Sequence, residues 1–289
     1  MAGALEALRL QLLPLRAFSI AFNDVQLEGT NKLVVPYFPL EAAASTNFNQ
    51  ANGYVFGDTY SQGEREVTID KRKYQPLSIA SSTFARQPNL DAEAIGKQKG
   101  IKLAEDVMTD ILSAITIANF GAAVFTGAAS TLDFAAVNET IGGACDVANW
   151  PNLGRALILK SAYYRNIVTD LGDVSKYGSD DPVKRGVLQN VAGFEDIYNN
   201  QSIPANAENL VGFACMPSAM LVGFSPIAPK DGGRIIEYET MSDEDTGLTV
   251  EYRRWFDADM DLEKTVLEVN YGYAKGEEAA LKRIQSAAL

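Results

Sequence analysis

The chain has 289 residues, 47% of them hydrophobic and 21% charged, which is enough apolar length for a sizeable core and excludes the disordered class. A net charge of -12 argues against a nucleic-acid-tracking or anionic-membrane surface. Histidine is absent, which removes Ser-His-Asp triads, Cys-His pairs, HExxH zinc sites and histidine general bases in one step.

Leu5, Leu8, Leu12 and Leu15 recur at helical spacing until Pro14 interrupts them. They predict a short amphipathic helix, either packed on its own core or serving as an arm that reaches a neighbour. Leu33 to Leu40, LVVPYFPL, reads as an edge or extended strand because Pro36 and Pro39 cannot donate to a ladder. From Glu41 to Gly63 the chain is rich in Ala, Asn, Ser and Gly without helical or strand period. A loop of that length inside a compact domain usually has a task. In REVTIDKRKYQPLSIAS, Val67, Ile69, Leu77 and Ile79 alternate with polar residues. The expectation is a two-stranded excursion, with one strand near Leu33, a long tip, and a return near Val67. The Lys71, Arg72, Lys73 cluster on the return reads as a solvated or intersubunit charge face rather than a nucleic-acid contact.

Asn89 or Asp91, after Pro88, can cap a helix. Ile101, Ala104, Val107, Met108, Ile111, Leu112 and Ile115 follow at i, i+3, i+4 spacing, with Lys102, Glu105, Asp106 and Asp110 on the other face. About 25 residues at 1.5 Å each predict a rod of nearly 40 Å. AITIANFGAAVFTGAA, from Ala114, is the most apolar run, but falls short of the roughly 18 residues of a membrane span. Gly121 to Asn149 reads as turns and short pieces. From Trp150 to Pro226 an α+β unit is expected, with strands in RALILKS, VLQNVAGFEDIY and LVGFACMP and a helix in SAYYRNIVTDLG. RIIEYETM, LTVEYRRWF and TVLEVNYGYA are three closing strands.

Motifs that carry chemistry are scarce. No phosphate-binding GxxxxGK[ST], no GxGxxG after a strand and no GxSxG occurs. Cys145 and Cys215 are far apart and read as free, buried thiols. FDADMDLEKTVLE places Asp257, Asp259, Asp261 and Glu268 at positions one, three, five and twelve of a calcium loop. Position six, where such a loop needs glycine, is Leu262, and the flanks alternate as strands rather than helices. The three aspartates are therefore only weak metal candidates on a hairpin connection. No catalytic residue and no cofactor is expected.

Four segments, in this order, resemble the major capsid protein of tailed double-stranded DNA bacteriophages. REVTIDKRKYQPLSIAS leading into the Asp91 to Ile115 helix is similar to that family's extended loop and spine helix. VAGFEDIYNNQSIP is similar to its Gly-Phe strand with an Asn and Pro turn. ENLVGFACMPSAML is similar to its strand running into a Pro-Ser-Ala helix. TGLTVEYRRWFDADMDLEKTVLEVNYGYAKG is similar to its closing hairpin, including Tyr271 and Gly272. The resemblance implies an α+β, Hong Kong 97-type fold: N-terminal arm 1–32, extended loop 33–85, peripheral domain with spine helix 86–149, axial domain 150–226, and peripheral closing strands 227–289. It implies a non-enzymatic shell subunit whose partners are other copies of itself in pentamers and hexamers, a separate scaffolding protein, a portal, and packaged double-stranded DNA without sequence-specific contact. No membrane partner is expected. Assembly in the bacterial host cytoplasm and residence in the virion follow from the same resemblance. The family's lysine–asparagine crosslink cannot be matched here. Two alternatives stay open: an encapsulin-like compartment shell, and a calcium-dependent β-rich binding module.

Overall fold

The computed structural model describes residues 2–22, 31–40, 50, 63–86, 91–171, 188–227, 235–243 and 247–287. Most of the predicted loop tip, 41–62, and the alternative cap Asn89 lie outside the described residues.

In chain order the elements are α1 (Ala2–Leu12), β1 (Ser19–Phe22), β2 (Lys32–Tyr37), β3 (Gly63–Thr68), β4 (Lys71–Ala80), α2 (Ser81–Arg86), α3 (Ala92–Leu112) and α4 (Ile117–Phe120). They continue with β5 (Ala123–Thr126), α5 (Gly143–Val147), β6 (Ala156–Leu159), α6 (Ser161–Leu171), β7 (Leu188–Val191), β8 (Phe194–Asn199), β9 (Leu210–Cys215) and β10 (Met220–Phe224). β11 (Ile235–Asp243), β12 (Leu248–Asp257), β13 (Leu262–Lys275) and β14 (Leu281–Gln285) close the chain.

Two six-stranded sheets organise these parts. The first runs β1-β10-β13-β12-β11, with β4 on the opposite edge of β13. The second runs β5-β14-β9-β6-β8-β7. One contiguous core joins both sheets to the long helix, from Leu103 and Ile111 through Phe213 and Val222 to Val269 and Ile284. The 14-residue β13 is the shared member of the first sheet: its first part lies between β12 and β4, and its last part pairs with β10.

Sheet membership cuts across the segment boundaries expected from sequence. β10 falls inside 150–226 yet pairs with β13 in the first sheet. β14 falls inside 227–289 yet lies between β5 and β9 in the second. β5, within 86–149, joins that second sheet as well. β9 and β10 are buried along their whole length. Continuously apolar strands carry no alternation to say which sheet they enter.

The long helix is shorter than its apolar pattern. α3 has 21 residues, about 32 Å at 1.5 Å each. Asp91 caps its start by accepting a hydrogen bond from the Ala94 N–H at 2.9 Å. At the other end the Ser113 hydroxyl donates to the Asp110 carbonyl at 2.6 Å and the chain turns away. Ile115 is still fully buried, so the periodic pattern outlasts the helix by one turn. α1 packs on α3 with Leu8, Leu12 and the following Leu15 fully buried. Of the two readings left open for these leucines, the structure selects packing on the chain's own core.

Candidate functional site

The excursion forms as the alternation predicts. β2 and β3 pair antiparallel as a separate two-stranded sheet, with Leu33 opposite Val67 and Val35 opposite Arg65. Its root has its own small core, Val35, Val67 and Leu221, all fully buried, flanked by Ala21, Tyr37 and Ala274. The floor under this root is two glycines. Gly223 of β10 and Gly272 of β13 are register partners, so they share a face of the sheet. A Cβ on Gly272 would stand 2.0 Å from the Thr68 carbonyl oxygen, and one on Gly223 would stand 3.1 Å from the tip of Ile69. The chain entering β4 crosses the sheet at backbone contact, which only glycine allows at Gly272.

β4 continues from this crossing along β13, from Lys71 opposite Tyr271 to Ala80 opposite Leu262. Lys71 and Arg72 point to opposite faces of the sheet, as adjacent strand residues must. On the core face the Lys71 ammonium donates to Asp110 Oδ2 and to the Tyr273 hydroxyl, each at 2.9 Å, and sits 4.4 Å above the Tyr273 ring. The Tyr271 hydroxyl donates to the same Asp110 oxygen at 2.9 Å. Burial pulls the Lys71 pKa down, but the bonds and charges of Tyr273 and Asp110 outweigh it and hold the group above its ordinary value. Burial and Asp110 likewise push the Tyr271 phenol up.

On the other face two carboxylates are directly opposed and buried: Glu251 of β12 pairs in register with Glu268 of β13, at 1% and 2% exposure. Arg72 grips Glu268 with two nitrogens, at 2.5 and 2.6 Å. Arg253 donates to Glu251 at 2.6 Å and to the Ile227 carbonyl at 2.8 Å, and lies 3.6 Å from Glu268. The Asn270 amide donates to both carboxylates, and the Ile227 N–H donates to Glu251 at 2.7 Å. Without these donors the opposed like charges would repel. The Glu268 bond raises the Arg72 pKa further, so the pair stays ionised. The Lys71 and Arg72 charges, expected as a solvated or intersubunit face, stay partly in solvent, and each is also ion-paired within the chain because β4 lies against β13.

The aspartate run lies where the strand pattern puts it, on the β12–β13 connection. Asp257 pairs with Lys264 at 2.5 Å and accepts from the Asp259 N–H at 3.2 Å. The Lys264 bond holds the Asp257 carboxyl below its ordinary value. Asp261 has φ +49°, the left-handed turn of the connection. Glu268, which a calcium loop would need as its twelfth ligand, is bound to Arg72 inside the sheet. Among the described residues no group of three or more acidic or cysteine side chains gathers to hold a metal ion. Cys145 and Cys215 are both buried and free of disulfide, with burial pushing the Cys145 thiol up to about 12 and Cys215 higher still. No described helix is long and apolar enough to cross a membrane.

No family model and no curated protein matches the sequence. Solved structures do. The capsid of the cyanophage P-SCSP1u aligns at TM-score 0.58 and 12% identity, over 94% of this chain and 87% of that one. The mature capsid of bacteriophage PhiM1 aligns at 0.57 and 10%, over 94% and 86%. A virus-like particle from Pyrococcus furiosus aligns at 0.53 and 11%, over 98% and 96%. The chain has a Hong Kong 97-type capsid fold. In that fold α3 is the spine helix, β2 and β3 are the extended loop, and β12 and β13 are the closing hairpin. Two of the four sequence segments that carried the resemblance fall on these elements, and the other two fall on β7 and β8 and on β9 and β10. Sequence reading missed Asp110, Glu251, Arg253 and Asn270, which couple the loop to the spine and hairpin. The available signal was Glu and Asn at inward positions of otherwise apolar alternating strands.

Proposed function

We propose that the chain is the structural subunit of an icosahedral shell, the major capsid protein of a tailed double-stranded DNA bacteriophage. The observation that carries this reading is the alignment of nearly the whole chain, 94%, with the subunits of two phage capsids. The role is structural and non-enzymatic. The first sheet with the spine helix acts as the peripheral domain, and the second sheet as the axial domain around fivefold and quasi-sixfold axes. The two-stranded excursion reaches across a neighbouring copy. Pentamers and hexamers close the shell through many modest contacts per subunit, each reinforced by the others. A scaffolding protein and a portal are the remaining assembly partners, in the bacterial host cytoplasm. Packaged DNA is held without sequence-specific contact, and the net charge of -12 is in keeping with a wall that does not trap it.

The test is expression of the chain with and without its scaffolding protein, followed by electron microscopy. Closed shells or capsomers are the expected product. A compact monomer under every condition overturns the proposal. One observation favours a second reading, an encapsulin-like compartment: the alignment with the Pyrococcus furiosus virus-like particle covers 98% of this chain and 96% of that one. Particles purified from the native source separate the two, since nuclease-protected DNA supports the phage coat and an enclosed enzyme supports the compartment.

A further inference from the structure

The excursion is a separate two-stranded sheet whose root rests on Leu221, Gly223 and Gly272 and which joins β4 through Ile69 and Asp70. Each of its strands is six residues, about 20 Å long. The residues that begin β4 are bonded to the rest of the chain on both faces of the sheet. Lys71 is tied through Asp110 to the last turn of the spine helix, and Arg72 is tied through Glu268 to the closing hairpin on the opposite face of the sheet. Ser113, which ends the spine helix, lies 3.3 Å from the Tyr273 hydroxyl that accepts from Lys71.

We propose that Lys71 and Arg72 form a two-sided clamp that fixes the direction of the excursion relative to the spine helix. A strand held on one face can rock about that attachment. One held on both faces, by neighbouring residues, cannot rock without breaking a charge-assisted bond on one side. The Asp110 carboxylate makes the spine helix part of the clamp, so helix and excursion turn as one body. A displacement of the spine helix is therefore transmitted to the excursion through Lys71, and the reverse. The clamp operates within a single chain and does not depend on what the shell encloses.

Spin labels at Glu64→Cys on β3 and Gln98→Cys on the exposed side of α3 report the angle directly. Both native cysteines are buried and stay unlabelled. Labelled chain diluted into unlabelled copies gives the intramolecular distance distribution by pulsed electron resonance. In the otherwise native chain a single narrow distribution is expected. Lys71→Met and Asp110→Asn should each broaden it at least twofold while the thermal midpoint still shows a folded chain. Tyr273→Phe removes one acceptor of Lys71 and should give a smaller broadening. It serves as the deciding variant if either of the others fails to fold. An unchanged width in folded Lys71→Met, or in Tyr273→Phe where Lys71→Met does not fold, overturns the clamp.

Discussion

Gly272→Ala separates the aiming of the excursion from the stability of the body. The added methyl would lie 2.0 Å from the Thr68 oxygen, 2.8 Å from its carbonyl carbon and 3.2 Å from the Ile69 Cα. Ordinary contact begins near 3.4 Å, so the crossing chain must retreat by more than 1 Å. All three obstacles are backbone atoms, which cannot rotate aside as a side chain can. Inserting a methyl into such a contact costs about 1–3 kcal/mol. Lifting the root also thins the Val35, Val67 and Leu221 cluster, where each side chain contributes about 1.5–3 kcal/mol when fully buried. The main core shares none of those three residues. The expected loss is therefore about 2–4 kcal/mol by urea titration, with the far-ultraviolet spectrum unchanged and assembly into particles abolished. Gly223→Ala, on the paired position, meets side chains alone, the tips of Ile69 and Leu33 at 3.1 and 3.2 Å and Val67 Cγ1 at 3.5 Å, and should cost less than about 1 kcal/mol. Normal particles and an unchanged midpoint from Gly272→Ala, or an equal cost from Gly223→Ala, would refute the crossing as described.

Arg253→Met should cost about 3–5 kcal/mol by urea titration, because it leaves Glu251 and Glu268 opposed with one donor fewer. Arg253→Lys should recover only part of that, since one nitrogen, Nη2, meets Glu251 and the Ile227 carbonyl and the lysine side chain ends one atom short of it. The buried thiols predict alkaline destabilisation. Their folded pKa values lie above the ordinary value of about 8.5, so the folded chain keeps protons that the unfolded chain releases. Stability is full below that pH and should fall above it by about 1.4 kcal/mol per thiol per pH unit, until the folded pKa is reached. Urea midpoints between pH 8.5 and 10 check this, and the Cys145→Ala, Cys215→Ala double variant should flatten the slope. Millimolar calcium should leave the thermal midpoint where a chelator leaves it, since Asp257 is held by Lys264 and Glu268 by Arg72. A calcium-dependent rise that Asp259→Ala removes would revive the binding-module reading.

Local periodicity carried far in this sequence. The alternation in LVVPYFPL and REVTIDKRKYQPLSIAS placed β2, β3 and β4, and the 3.6-residue pattern placed α3, with Asp91 one of the two caps offered for it. The strand flanks and Leu262 identified FDADMDLEKTVLE as a hairpin before any contact was known. The rest is long-range. Nothing near Leu281 says that β14 lies between β5 and β9, because that pairing depends on residues more than 60 positions away. The Lys71, Arg72, Lys73 run looked like surface charge because its acidic partners are 39 and 196 residues distant. Gly272 was noticed only as half of a Tyr-Gly pair. Its reason, the Thr68 carbonyl crossing above it, is a tertiary contact with no local mark.

The central claim is that this chain builds a closed shell from copies of itself. Cryo-electron microscopy of the expressed chain, with its scaffolding protein where one is needed, tests it most directly. The account predicts icosahedral particles of pentamers and hexamers in which the excursion, beyond its root on β10 and β13, lies on an adjacent subunit. A chain that stays monomeric at every concentration and salt tried, or particles in which the excursion folds back on its own subunit, would contradict it.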